Sequence, residues 1–468
     1  LAKLSIWLVT LAKGRPFGFL EHNLRCGDSL LGIHRLDQLT QLSMNPSGQG
    51  QLHLFGQNVE QAVREAIELR SCLREMPIRD IHDVEAMAHL DADARRRLEV
   101  PESIADAFIG EVFAAGGGTA LENTLASLTI QAGQAIDGDR EVLASLRRRA
   151  VAALLTDLPA DKPARRPFHW PLEFPEVFEC EESGFSAYIG NPPFAFGKNV
   201  SSSLGSTYNT YLVTTNPAAT KNVDLCAHFF HKAFALLNDI GTFGMLATSS
   251  IAEGETRLAG LENLISAGGS IYSATSKSKW PGTANVYICR VIISKKKWGG
   301  SFSLDGKRVS SISSFLTPDS NWQPQPLMES KGIAFYGAIP NGDGFFLSRD
   351  EAEAILIKSP DHKVVLYPFL TGKDLNSGPT QTATRYAINF WDWTERDASK
   401  YESAYRIVSE RVKPYRQSLL KTKPKLVQKW WLYEANPKGL HDVLGRGEYF
   451  RGGVKNPPLG KGSCDCPR

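Results

Sequence analysis

The sequence predicts an α/β protein whose sheet domain is interrupted by a long helical insertion and followed by a less regular region. Segments between residues 185 and 300 alternate between strand-like and helix-like patterns, which is typical of an α/β sheet. Between 57 and 155, apolar residues recur at helical spacing. Beyond residue 300 the chain is rich in Pro, Gly and Ser and contains short strand-like stretches, which indicates a separate region.

Glycines separate the predicted elements of the sheet domain. An apolar strand is predicted over 185–189, where Gly190 ends it, and a helix over 224–237 precedes Gly241. A buried strand is predicted over 242–248. Two further strands are predicted over 270–273 and 286–294. At the start of the chain we expect a helix over 4–12, amphipathic or buried, and a short strand over 24–33 that ends in a turn at Gly27 and Asp28.

The helical insertion is recognised by its spacing of apolar and charged residues. Val63, Ala66, Ile67 and Leu73 fall on one helical face, with charged residues on the other, and 141–155 repeats the pattern. Three glycines at 116–118 break the middle of this region. Its charge runs are interpreted as solvated helix faces.

Composition limits the classes of function without choosing among them. The chain of 468 residues has 53 Lys and Arg against 50 Asp and Glu, so a nucleic-acid surface must arise from local clustering. Seven cysteines without framework spacing indicate a reducing compartment, and we expect a cytoplasmic protein. The apolar run at the N-terminus is too short for a membrane span and lacks a signal-peptide cleavage site.

The motif with the clearest chemistry is Ile-Gly-Asn-Pro-Pro-Phe at 189–194, directly after a predicted strand. The carboxyl edge of an α/β sheet is where such proteins bind ligands. Two prolines fix the backbone and remove two donors, which leaves a rigid loop rich in acceptors. The Asn191 side-chain carbonyl and the Pro192 backbone carbonyl suit the two hydrogens of an exocyclic amino group. Phe194 offers a flat face for stacking.

This arrangement predicts a pocket for an aromatic amine taken out of its duplex. Flipping costs a few kcal/mol, which stacking and hydrogen bonds in the pocket must offset. Bonds to both amino hydrogens would take the nitrogen lone pair out of conjugation and prepare it to attack a methylsulfonium carbon in line. Neither a metal nor a strong general base is required. The alternative is an ordinary strand-exit turn, since Asn-Pro and Pro-Pro are common in loops.

The motif and its surroundings resemble a known family. Asn-Pro-Pro-Phe after an apolar strand is similar to the catalytic motif of amino-methylating DNA methyltransferases, and 168–178 is similar to the lead-in of large methylases of type IIG restriction–modification and phage-defence systems. Segments 222–230 and 241–246 resemble the helix and strand after the catalytic loop. Segment 24–31 resembles the motif whose Asp contacts the cofactor's adenine.

The resemblance implies an adenine-N6 DNA methyltransferase in the gamma arrangement, with a partial Rossmann-like sheet that uses S-adenosylmethionine. Its implied parts are the methyltransferase core over 1–35 and 166–300, the helical insertion over 36–165, and a target-recognition region over 301–468 that is incomplete after about residue 445. The implied partner is double-stranded DNA with one adenine flipped out. The implied catalytic residues are Asn191, Pro192, Pro193 and Phe194, and the implied cofactor-binding residues are Gly27, Asp28, Ser29 and Gly190.

The sequence departs from the family pattern at its start. The family places an Asp-Pro-x-Cys-Gly-x-Gly loop and an acidic strand end upstream of the Asp28 motif, and neither occurs here. We therefore expect a chain that begins partway through the catalytic domain, with an exposed sheet edge and weak binding of S-adenosylmethionine. On its residues alone, Asp28 is better explained as a turn residue that caps the next segment.

A cluster of basic residues without acidic neighbours is the candidate phosphate-contacting surface, and two tryptophans and a tyrosine follow it. It consists of Arg411, Lys413, Arg416, Lys421, Lys423, Lys425 and Lys429. A plain solvated helix is the alternative. His228 and His231 share a helix but lack a third ligand, so no metal site is predicted.

Two other classes of function stay open. One is methylation of RNA or of protein amide nitrogen, because the same tripeptide serves such enzymes. The other is an inactive DNA-binding remnant.

Overall fold

A computed structural model describes the chain in two compact units, Leu1–Trp322 and Gln323–Arg468. The described residues are 1–10, 17–46, 54–115, 119–195, 197–280, 287–318, 328, 337–377, 382–420 and 423–439. Several predicted features therefore lie outside the described residues, namely the end of the first helix at 11–12, the glycine break at 116–118, position 286, Lys421 and the segment after 439.

The first unit combines a helical layer with a mixed sheet. Its helices are α1 (Ala2–Thr10), α2 (Leu36–Thr40), α3 (Leu54–Glu75), α4 (Ile81–Ala115), α5 (Thr119–Ile136), α6 (Arg140–Leu154), α7 (Trp170–Glu173), α8 (Pro175–Phe178), α9 (Gly197–Leu204), α10 (Ser206–Thr215), α11 (Leu225–Leu236), α12 (Gly254–Arg257) and α13 (Asn263–Ser266). Its strands are β1 (Phe185–Gly190), β2 (Leu237–Thr248), β3 (Ser270–Lys279), β4 (Tyr287–Ser294), β5 (Phe302–Leu304) and β6 (Lys307–Val309). Among the described helices, none is long and apolar enough to cross a bilayer.

The helices predicted between residues 57 and 155 are present as α3 to α6. Val63, Ala66 and Leu73 are buried as their spacing predicts. The N-terminus of α6 is capped by Asp139, whose carboxylate accepts hydrogen bonds from the backbone N–H groups of Glu141 and Val142. These helices share a core with residues 30–42 and with residues of α7, α9, α10 and α11.

The sheet has the order β1-β2-β4-β3-β5-β6. Strand β1 runs parallel to β2, with Ile189 opposite Gly244, while β4 is antiparallel to both β2 and β3. The predicted strands at 185–189, 242–248 and 270–273 are all present, and the described part of 286–294 is also a strand. Among the described residues β1 pairs with β2 alone, so it is an edge strand of this sheet, and its residue Ile189 is 91% exposed.

The strand predicted over 24–33 is wrong. Apart from a single parallel bridge between Asp28 and Pro167, this segment consists of turns and irregular backbone. The Asp28 side chain accepts hydrogen bonds from the N–H groups of Leu30 and Leu31, which holds the backbone in a turn. Leu30 and Leu31 are both buried, whereas a half-buried strand would place consecutive residues on opposite faces.

The buried residues at the start of the chain lie in this same core. Leu30, Leu31 and Ile33 pack with the helices α3 to α6 and with residues of α7, α9, α10 and α11. Helix α1 is present, but none of its residues is buried, so it is not the buried helix considered from the sequence.

The second unit is built on a small antiparallel sheet of order β7-β9-β8. Its elements are β7 (Phe346–Ser348), α14 (Arg349–Lys358), β8 (Leu366–Phe369), α15 (Gly372–Ser377), β9 (Arg385–Ile388), α16 (Glu395–Ala398), α17 (Glu402–Arg411), α18 (Lys413–Ser418) and α19 (Pro424–Gln428). Short strands were predicted for this part of the chain. Strands β5 and β6, by contrast, extend the sheet of the first unit beyond residue 300.

Candidate active site

The Asn-Pro-Pro-Phe loop leaves the carboxyl end of β1. Gly190 lies opposite Met245 in the parallel pair, and a Cβ at Gly190 would lie 3.2 Å from the Met245 Cε and 3.3 Å from a ring carbon of Tyr188. A side chain at position 190 would therefore be in close contact with Met245 and Tyr188. After it, Pro192 is buried, while Asn191 and Phe194 are exposed.

The far end of the loop is fastened to the start of α11. The backbone N–H of Leu225 donates to the Ala195 carbonyl at 3.2 Å. A Cβ at Gly197 would lie 1.8 Å from the Asn222 carbonyl oxygen, a separation that only glycine permits without a shift of the backbone. The loop is thus held at both ends, by β1 and by the segment before α11.

Asp224 connects the segment before α11 to strand β2. It is 1% exposed and caps α11, with its Oδ1 accepting from the Cys226 N–H at 3.2 Å. Its Oδ2 accepts from the Ser250 hydroxyl at 2.8 Å and from the Thr248 hydroxyl at 3.3 Å. Thr248 is the last residue of β2, so Asp224 ties the carboxyl end of β2 to α11.

Two of the side chains that the sequence predicts to meet the target base are accessible, whereas Pro192 is buried. In the described part of the chain, the Asn191 side chain makes no hydrogen bond, so its carbonyl oxygen is available as an acceptor. The Phe194 side chain is 39% exposed. A loop that presents an amide oxygen and an exposed aromatic ring can accept a hydrogen bond from a planar amine and stack on it.

Asp28 lies against α10 and the segment before α7. Its carboxylate accepts the Tyr208 hydroxyl at 2.8 and 2.9 Å, and its backbone N–H donates to the Arg166 carbonyl at 2.8 Å. Burial, and then the charge of Asp28, hold the pKa of the Tyr208 hydroxyl well above its usual range, so Tyr208 acts as a donor. The sequence analysis missed Tyr208, because no motif marks a tyrosine 180 residues away from its partner.

The neighbours of Asp28 connect it to β1 through aromatic side chains. A Cβ at Gly27 would lie 2.9 Å from the Phe168 ring, and the Ser29 carbonyl accepts the Trp170 indole N–H at 3.2 Å. Trp170 packs on Tyr188 of β1, with ring centroids 6.0 Å apart. The implied roles of Gly27, Asp28, Ser29 and Gly190 in cofactor binding stay predictions.

The predicted basic surface is only partly available in the second unit. Arg416 is fully buried, and its guanidinium donates to the carbonyls of Pro340 and Leu432 at 2.6 and 3.3 Å. It is therefore a core residue, which corrects its assignment to phosphate contact.

The other basic residues of the cluster vary in what they contact. Arg411 pairs with Glu351 at 2.6 Å and Lys423 pairs with Glu434 at 2.5 Å, while Lys413 lies over the Trp430 ring. Lys425 and Lys429 are exposed. The aromatic residues that follow the cluster are buried, because Trp430, Trp431 and Tyr433 belong to the core of this unit.

A family model matches the part of the chain that contains the loop. Residues 133–271 match the family model described as Eco57I restriction-modification methylase. This range includes the Asn191 loop, α11 and β2.

Among solved structures, the chain is similar to the type IIL restriction-modification enzyme MmeI in complex with DNA, with 18% identity and a TM-score of 0.43. The match covers 62% of this chain and 42% of the MmeI chain, so this chain spans less than half of that protein. No curated protein sequence matches the chain.

Proposed function

We propose that this protein is a site-specific DNA methyltransferase that transfers a methyl group from S-adenosylmethionine to N6 of a flipped adenine, as part of a restriction–modification or phage-defence system. The observation that carries the proposal is the Asn191 loop, which is held at both ends and exposes the Asn191 amide and the Phe194 ring, within the segment that matches the methylase model.

The loop contributes orientation and hydrogen bonding. The Asn191 amide oxygen accepts one hydrogen of the adenine amino group, and the Pro192 carbonyl accepts the other, while Phe194 stacks on the base. These bonds move the nitrogen lone pair out of conjugation with the ring, so that it can form the new C–N bond. Because the loop is rigid, most of the rate gain comes from positioning. With S-adenosylmethionine bound, the methyl–sulfur bond would break as the C–N bond forms and its electron pair would stay on the sulfur, which leaves as a neutral thioether. The methylated nitrogen would then lose a proton to solvent.

The residues around Asp28 fit the adenine end of S-adenosylmethionine. When bound, this cofactor supplies the electrophilic methyl group. The Asp28 carboxylate has about four lone-pair sites, of which the two N–H groups of Leu30 and Leu31 and the Tyr208 hydroxyl use three. One acceptor site therefore remains for the cofactor's amino group. Gly27, Ser29 and Gly190 would shape the backbone beside it.

The identity of the acceptor distinguishes this proposal from its alternatives. Protein is incubated with millimolar S-adenosylmethionine carrying a tritiated methyl group and, in parallel, with duplex DNA, with RNA or with a denatured protein mixture. We expect label in the DNA alone, because a loop that stacks and bonds a planar amine suits a flipped base. Label in RNA or protein but not in DNA would contradict the proposal. Duplex binding without any transfer would indicate the inactive remnant.

A further inference from the structure

A cavity of about 330 Å³ lies in the first unit, apart from the Asn191 loop. Its walls come from the turn and helix at 30–46, from the end of α10 with the loop after it, and from one face of α11. This volume falls within the range of small-molecule binding sites. The lining mixes apolar side chains with polar and basic ones, and it includes neither Asp nor Glu.

The basic side chains enter this cavity from two opposite walls. His34 and Arg35 come from the 30–46 segment, and His228, His231 and Lys232 come from α11. Arg35 is paired with Asp37, so part of its charge is already compensated.

Lys232 is the cation of this cavity that lacks a partner. Its side chain is 8% exposed, and within the described residues its ammonium group makes neither a hydrogen bond nor an ion pair. Burial lowers the pKa of Lys232 to about 8, partly opposed by the charge of Asp28, whose carboxylate is engaged by Tyr208. At pH 7 Lys232 is therefore still mainly protonated, so its ammonium group gives the lining of the cavity a positive charge.

Two further buried groups in the same walls lack partners. Asn216 is 2% exposed, and neither its amide nitrogen nor its amide oxygen has a hydrogen-bond partner in the described part of the chain. His228 is 4% exposed, and its Nε2 has no partner there either. Buried polar groups in native proteins are almost always hydrogen-bonded, so these atoms point to a missing ligand.

The ligand that fits is an anion and not a metal ion. Among the described residues, no three ligating side chains are arranged to hold a metal, although three histidines line the cavity. Burial lowers the pKa of both His228 and His231 to about 4, so each imidazole is neutral at pH 7 and has one N–H to donate. An ammonium, an amide and imidazole N–H groups from different walls suit an anion with several oxygens pointing in different directions.

We propose that this cavity binds a phosphate group, with Lys232 as its counter-ion and with Asn216 and His228 as neutral donors. The phosphate is carried either by a small nucleotide or by the DNA backbone. The inference does not depend on the methyl-transfer proposal, because it involves none of the residues of the Asn191 loop.

The test is calorimetric titration of the folded protein with uridine 5′-monophosphate and with inorganic phosphate, and uridine serves as the ligand that lacks the charged group. We expect saturable binding of the monophosphate and of phosphate, but not of uridine. Lys232→Met removes the charge and keeps an apolar chain of similar length, and it should weaken binding by about tenfold to a hundredfold, as expected for a lost hydrogen bond to a charged group. The matched control is Lys221→Gln, at an exposed position outside the cavity, which should bind as the wild type does.

A second variant guards against misfolding of the first. His231 is only half-buried, so the His231→Ala protein should fold, and its affinity for the monophosphate should also be lower. If duplex DNA displaces the monophosphate, the cavity binds phosphates of the DNA backbone. If the monophosphate stays bound, the cavity binds a free nucleotide. The proposal is overturned if neither phosphate ligand binds at 10 millimolar (about the weakest affinity that such a site could usefully have). It is also overturned if Lys232→Met and His231→Ala fold and bind as the wild type does.

Discussion

Asn191→Ala is expected to abolish methyl transfer while leaving DNA affinity nearly unchanged. The Asn191 amide oxygen touches only the flipped amino group in the proposed complex, whereas affinity for DNA comes mainly from phosphate contacts. Loss of one pre-organised hydrogen-bonding group from an active site typically lowers kcat by about a hundredfold to a thousandfold. Single-turnover methyl transfer and a DNA-binding titration at the same salt concentration would measure the two quantities.

Two companion variants sharpen this test. Asn191→Asp keeps an acceptor oxygen at the same place, so it should retain more transfer than the alanine variant. Asn199→Ala changes an exposed asparagine of α9 and should have no effect. If DNA affinity and methyl transfer fall together in Asn191→Ala, the residue is a general DNA contact or a structural residue and has no specific role toward the amine.

Gly197→Ala is expected to damage the site through the backbone. The added Cβ would lie 1.8 Å from the Asn222 carbonyl oxygen, so the loop or the start of α11 must move by more than an ångström. Overpacking of this kind costs about 1–3 kcal/mol of stability. A displacement of about 1 Å in a catalytic loop can reduce the rate by about a hundredfold. Thermal unfolding and single-turnover transfer would measure the two effects.

Gly133→Ala is the matched control for this substitution. Gly133 lies inside α5, and no atom lies within 4 Å of the position its Cβ would take. Alanine favours a helix over glycine by about 1 kcal/mol, so this variant should be as stable as the wild type or more so. If Gly197→Ala were equally harmless, the loop would not be held by its contact with the segment before α11.

The parts of the fold that the sequence predicts are those fixed by local periodicity. Strand β1, helix α11 and strand β2 follow from apolar runs, and the structure has all three. Gly241, predicted as the break before the strand, lies inside β2, which begins at Leu237 directly after α11. Segment 24–33 has the composition of a strand, but the Asp28 carboxylate accepts hydrogen bonds from the backbone N–H groups of Leu30 and Leu31 and holds the chain in a turn. A local pattern of apolar residues does not show that these side-chain hydrogen bonds replace those of a strand.

Contacts between distant segments could not be predicted from the sequence. Tyr208 donates a hydrogen bond to Asp28, which lies 180 residues earlier in the chain. The sequence predicts a surface position for Arg416, but its guanidinium is buried and donates to carbonyls of two separate segments. The phosphate cavity likewise joins three segments, of which only His228 and His231 stood out beforehand, as a weak metal pair. Such features depend on tertiary packing, for which the spacing of residues carries no signal.

The most direct test of the central claim is the chemical identity of the methylated nucleoside. Duplex DNA treated with the protein and labelled S-adenosylmethionine is digested to nucleosides, which are separated and counted. The account predicts label in N6-methyladenine, and it predicts that the Asn191→Ala protein gives none above background. Label in 5-methylcytosine would contradict the account, because that product requires attack by a ring carbon and not by an exocyclic amine. Undiminished N6-methyladenine from the Asn191→Ala protein would contradict it as well.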